Sequence, residues 1–174
     1  MLDKNKTVLK VVEKKPNENI PKKEIHLFQS VIKKDNFEWV MEKGAELGVS
    51  YFHPIVSERS EKKNINFERV GKIIKEASEQ SWRWSLPILG ELADLKNALN
   101  NNFIASAFHP IGDKFNKNDF EKDKILGILI GPEGGWSDKE LELFKEKGVK
   151  ILSLGSQILR ADTAAIAVSS LLLL

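Results

Sequence analysis

A chain of 174 residues can bury one substantial core but has little room for two full-sized domains. Its 27 basic and 25 acidic side chains leave a net charge of +2, so any nucleic-acid surface must be a local patch and not a property of the whole chain. Cysteine is absent, which excludes disulfides, thiolate nucleophiles, cysteine-bound zinc and iron–sulfur clusters and suits a reducing cytoplasm.

The first residues, Met1 to Lys6, lack the apolar core of a signal peptide. Thr7 to Val12 has the composition of a single strand, either a stray edge or the end of a domain lying upstream in a longer protein. Lys14 to Lys23 is polar, holds two prolines and breaks all periodicity, as a linker does. Glu24 to Ile32, rich in Ile, Leu, Phe and Val, predicts the first strand of the main domain. A helix follows, with Asp35 and Glu38 spaced as a capping box, an apolar stripe through Phe37, Val40, Met41 and Ala45, and Gly48 as its C-terminal cap. Tyr51 to Val56 predicts a strand, and Phe67, Val70, Ile73, Ile74 and Ala77 predict a helix to about Gln80. The face from Arg59 to Lys75 mixes both charges and has the look of a solvated surface. Strands are expected over Asn102 to Phe108, Ile125 to Ile130 and Val149 to Leu154, with a helix between the last two, capped by Ser137 and Glu140 and ending near Gly148. Ala164 to Leu174 is too short to span a bilayer and predicts a buried helix. Repeated strand–helix alternation implies a mainly parallel α/β sheet with helices on both faces.

Two loops carry the functional signal. Gly131-Pro132-Glu133-Gly134-Gly135 and Leu154-Gly155-Ser156-Gln157-Ile158-Leu159-Arg160 each leave an apolar strand and enter a helix. Open α/β sheets bind small molecules at such carboxyl-terminal strand ends. The first loop has neither the three-glycine dinucleotide spacing nor the Gly-Lys-Ser/Thr ending of a phosphate loop. Arg160 must find a partner, either Asp162 or Glu133 or an oxygen of a substrate. Gln80-Ser81-Trp82-Arg83-Trp84 suits core or interface packing, with base stacking as its other use. His26, His53 and His109 show no metal-ligand spacing, and nothing in the sequence supports a catalytic role for them.

Ile130 to Ser137, followed by Leu154-Gly155, Ile158-Leu159-Arg160 and Thr163-Ala164-Ala165, resembles the SPOUT-class RNA methyltransferases of the RsmE type. Lys43, Glu46-Leu47-Gly48-Val49, Ser57-Glu58-Arg59-Ser60, Glu76-Ala77, Glu79-Gln80-Ser81, Arg83 and Pro87 extend the resemblance to residues 24 to 174. It implies a methyltransferase domain there with a C-terminal trefoil knot, a homodimer, and S-adenosylmethionine (SAM) as cofactor with no metal. The implied reaction is methylation of the N3 position of a uridine in 16S ribosomal RNA within the small subunit, in the cytoplasm. Carried over, the cofactor pocket comprises Leu129, Gly131, Pro132, Glu133, Gly134, Gly135, Leu154, Gly155, Ile158, Leu159, Thr163 and Ala164, and Arg160 is the catalytic residue.

Two departures stand out. Ala161-Asp162 replaces the family's usual Thr-Glu, and only residues 7 to 13 resemble any of the family's N-terminal RNA-binding barrel, so residues 1 to 23 are expected to be a remnant of it or a linker. The cofactor motifs do not encode the target, which leaves open another RNA nucleoside, a dimeric RNA-binding or assembly module without transfer activity, and a nucleotide-binding module that never uses SAM.

Overall fold

The computed structural model describes residues 7–15, 21–61, 64–83, 85–100 and 103–174. Asn102, Trp84 and the linker's residues 16–20 lie outside them. The strand expected over Thr7 to Val12 is not formed: these residues pair with nothing to make a ladder, and Val8, Leu9, Val11 and Val12 are exposed.

The main domain starts with strand β1 (Glu24–Ser30), helix α1 (Lys34–Leu47), strand β2 (Tyr51–Val56) and helix α2 (Phe67–Gln80). Two short strands follow, β3 (Ile88–Leu89) and β4 (Ala93–Asp94), then a helical turn α3 (Leu95–Ala98) and a long strand β5 (Ile104–Lys114). Strand β6 (Ile125–Ile130), helix α4 (Asp138–Glu146), strand β7 (Lys150–Ser153) and helix α5 (Ala161–Leu173) complete it. The sheet order is β3-β2-β1-β6-β5-β7, with β4 also on β2, and every pairing is parallel. Parallel strands buried on both faces explain the near-continuous apolar run of β6.

Side-chain alternation sorts the core into two layers. Ile25, Leu27, Leu126, Ile128 and Ile130 point to the face covered by α1, α2 and α5, where they meet Val40, Met41, Ile74, Ala165 and Val168. Phe28, Ile55, Ala107 and Leu129 point the other way, against Leu95 of α3 and Leu141 and Phe144 of α4.

Three local expectations change. The N-cap of α1 is Lys33 and makes no side-chain hydrogen bond. Glu38, buried between the helices, instead takes a bidentate pair from Arg69 of α2, Nε at 2.7 Å and Nη2 at 2.9 Å, which holds its carboxyl below the usual range. A charge-assisted fork outbids a single capping bond. The supposedly solvated α2 face is therefore tied to α1. Helix α5 is buried on one side only, through Ala165, Val168 and Leu172, while Leu171 and Leu174 are exposed.

The aromatic run after α2 splits its roles. Ser81 ends the helix, Trp82 takes a left-handed φ of 57° and stands 84% exposed, and Arg83 folds back. Its guanidinium donates to the carbonyls of Ala45 and Val49, each at 2.8 Å, satisfying acceptors at the C-terminal end of α1.

At the opposite end of the sheet from the glycine loops, His26 and His53 share a hydrogen bond of 2.9 Å between Nδ1 and Nε2. His26 Nε2 lies 2.8 Å from Glu24 Oε1 and its ring stacks on Tyr51, while Phe28 stacks on His53. Burial, helped by the nearness of His26, pushes His53 down to about 4. The neutral ring is thus favoured in the fold, and the stability it contributes is complete above the unfolded value of 6.5 and lost as pH falls toward 4. Urea midpoints measured between pH 7 and 4.5 are expected to decline, and to decline less in His53→Asn; parallel curves would assign the loss to carboxylates instead.

Candidate functional site

A cavity of about 270 Å³ opens at the carboxyl-terminal ends of β6 and β7, beside the middle of β5, near the low end of the range for small-molecule sites. The two glycine-containing loops form it together. From the first come Gly131, Pro132, Glu133 and Gly135; from the second, Leu154, Ile158, Leu159 and Arg160; and Ala164 of α5 closes the wall. Of the other residues expected there, Leu129 is fully buried in the α4-side core, Gly134 packs on Arg59, Gly155 turns back onto Ser153 Oγ, and Thr163 is exposed with its N–H on Asp162 Oδ1. None of these four lines the cavity.

The glycine loop is held from several directions. Gly135 has φ +66°, a conformation costly for other residues, and its N–H closes a turn onto Pro132 O at 2.9 Å. Trp136, buried and edge-on to Phe144, donates its indole N–H to Phe108 O at 3.1 Å. The expected capping box is present, Ser137 N–H reaching Glu140 Oε2 at 2.8 Å and Glu140 N–H reaching Ser137 Oγ at 3.3 Å. The loop after β2 then locks onto this box. Glu58 N–H donates to Glu140 Oε1 at 2.8 Å, Ser137 Oγ–H donates to Glu58 Oε2 at 2.6 Å, and Arg59 Nη1 donates to the carbonyls of Gly134 at 2.9 Å and Trp136 at 3.2 Å.

Charged groups meet at the rim. Glu133 Oε1 accepts the backbone N–H of Lys33 at 3.0 Å. Arg160 pairs with Asp162, not Glu133, at 3.3 Å; the guanidinium is 70% exposed while the carboxylate is buried and also accepts the Thr163 N–H, so Asp162 keeps one partner if Arg160 turns away. Ala161 lines the cavity with a methyl group.

Residues 18–173 match the sequence model of the RNA methyltransferase domain. The chain belongs to this family. The methyltransferase domain is 33% identical over 159 residues to ribosomal RNA small subunit methyltransferase E of Rickettsia conorii, covering 83% of this chain and 62% of the relative. The chain thus spans about three-fifths of that relative's length. Among solved structures, a methyltransferase of Legionella pneumophila with bound SAM superposes with a TM-score of 0.81 at 32% identity, covering 88% of this chain and 67% of that one. Ribosomal RNA small subunit methyltransferase E of Neisseria gonorrhoeae, bound to S-adenosyl methionine, gives a TM-score of 0.82 at 27% identity, covering 90% and 68%.

The domain also places in the cavity residues that the sequence did not single out for it: Phe108, His109 and Pro110 of β5, and Ser153. The β5 residues get there because the strand bulges. Phe108 pairs with Leu152 of β7, and so does Asp113, leaving residues 109–112 out of the ladder. A signal existed: Pro110 cannot donate to a ladder, and prolines inside strands sit at edges or bulges.

Arg59→Ala removes two loop-restraining bonds from an exposed side chain. It is expected to speed amide hydrogen exchange across residues 133–136 by about tenfold with α4 unchanged, as for a local opening eased by roughly one hydrogen bond; unchanged exchange would show that the capping box alone holds the loop.

Proposed function

We propose that the chain is the methyl-transferring domain of a SAM-dependent enzyme that modifies small-subunit ribosomal RNA, at the N3 position of a uridine, as a cytoplasmic homodimer. Residues 24–174 would be the methyltransferase domain, and 1–23 a linker or the remnant of an RNA-binding barrel. The observation that carries this is the convergence, on one cavity at the strand ends, of the two loops through which the chain resembles its family. The names of its relatives and the SAM bound in two of its structural neighbours support the cofactor and the RNA class. We assign to the segment from Gly131 to Leu174 the trefoil knot of that class. Exposed Ile158, Leu171 and Leu174 support a second subunit over α5 and the Leu154–Arg160 loop, since apolar groups left outward on a functional loop and helix mark an interface. No described helix is long and apolar enough to cross a membrane.

The lining fits the cofactor's chemistry. Leu154, Ile158, Leu159, Ala161 and Ala164 provide the apolar wall that a purine needs, and Glu133 offers a carboxylate to a cationic group. The bound cofactor supplies a methyl group already activated by its sulfonium. What remains for the protein is to hold the acceptor in line and to favour loss of a proton from the base. Arg160, its guanidinium exposed at the rim, would turn from Asp162 to the nucleotide and stabilise negative charge developing on the base. A metal is not required for this step.

Calorimetric titration is expected to give saturable binding of SAM and S-adenosylhomocysteine and none of ATP or NAD. Arg160→Ala should retain that binding and lower transfer to small-subunit RNA by about a hundredfold or more, the scale of losing one preorganised charge-stabilising donor. Absence of cofactor binding by a folded sample would sink the proposal, and unchanged transfer would remove Arg160 from the chemistry.

A further inference from the structure

His109 is the one histidine that lines the cavity, and the β5 bulge is what brings it there. Its Nδ1 accepts the backbone N–H of Ile111 at 3.3 Å. With that lone pair engaged, the neutral ring carries its proton on Nε2. Nε2 in turn lies 3.7 Å from where a Cβ on Gly135 would sit, so it faces the glycine loop. Such a ring cannot accept a proton at the nitrogen that faces the cavity. It is a fixed donor, and a donor held in a walled site needs an oxygen to meet.

The other polar groups of the lining indicate which oxygen. Arg160 is engaged by Asp162, and Ser153 Oγ by Gly155. On the Leu154–Ala164 side Gln157 adds one uncharged amide to a lining whose remaining groups are apolar and suit a purine. Glu133 and His109, an acceptor and a donor, flank the Gly131–Gly135 side, and this is the pairing that an amino-acid zwitterion requires: a carboxylate for its ammonium group and an N–H for its carboxylate. We propose that His109 Nε2–H donates to the methionyl carboxylate of the cofactor. The assignment stands only if the cavity holds that cofactor. Burial, and then the nearby charge of Arg59, push the imidazole below its usual value, with Asp138 pulling the other way, so the ring stays neutral and keeps this tautomer at neutral pH.

The test compares two ligands on the folded chain: S-adenosylhomocysteine, and 5′-methylthioadenosine, which keeps the purine, ribose and thioether but lacks the amino-acid end. Calorimetry is expected to show His109→Ala weakening the first by about tenfold, the size of one hydrogen bond to a charged acceptor, and leaving the second unchanged. His109→Gln, whose amide N–H can reach the position of Nε2, should recover most of the loss. Side-chain ¹⁵N NMR of the wild type should report the Nε2–H tautomer and a shift on adding S-adenosylhomocysteine. Equal weakening of both ligands, no weakening of either, failure of the glutamine to recover, or an Nδ1–H tautomer would overturn the assignment. Thermal melts of the variants separate a binding loss from misfolding. A wild type that binds neither ligand would instead overturn the cofactor site, whatever His109 does.

Discussion

The cavity depends on a strand that leaves its own ladder. β5 lies between β6 and β7, and in an unbroken parallel sheet its side chains would alternate between the two cores with none left for the strand ends. The bulge at residues 109–112 interrupts that alternation and turns His109 and Pro110 toward the glycine loop. Gly112 makes the return possible: a Cβ there would sit 2.6 Å from the backbone of Leu152, closer than any side chain tolerates. Phe108, just before the bulge, gives its carbonyl to Trp136, so the same distortion fixes the far side of the glycine loop.

The loop is rigid for a related reason. Several backbone groups that it frees from regular structure are taken up by neighbours, Gly134 and Trp136 by Arg59 and Ser137 by Glu140, whose carboxylate also takes the Glu58 N–H. Glu140 thereby caps α4 and anchors the loop after β2 with its two oxygens. A site built from loops usually pays in mobility, and here hydrogen bonds between elements distant in sequence offset that cost. The rim groups are held less firmly. Arg160 is held by one ion pair and Glu133 by one backbone N–H.

Comparing sequence with structure shows which signals carry. Periodic segments were legible: α2 ends at Gln80 as its stripe predicts, β6 and the Ser137–Glu140 cap lie where expected, and both ligand loops do line one cavity. Two-residue strands such as β3 and β4 were not, because they are too short to show a period and exist only through β2. Asp35 and Glu38 had the spacing of a cap, but Arg69, 31 residues further on, offered Glu38 a stronger partner. His26 and His53 looked unrelated in sequence and share a hydrogen bond across adjacent strands.

Local chemistry, then, was decided by the chain itself: the order of the main strands and helices, that the sheet is parallel and doubly covered, that glycine-containing turns follow its strands, and which family those turns resemble. These follow from propensities and spacings within a few residues. Tertiary structure alone decided that Arg59 clamps the glycine loop, that Arg160 pairs with Asp162, that Leu129 belongs to the core, and that His109 reaches the cavity with one nitrogen already engaged. Each of these depends on which groups the packed strands bring within hydrogen-bonding distance and how much water is excluded around them, quantities that no stretch of sequence holds by itself.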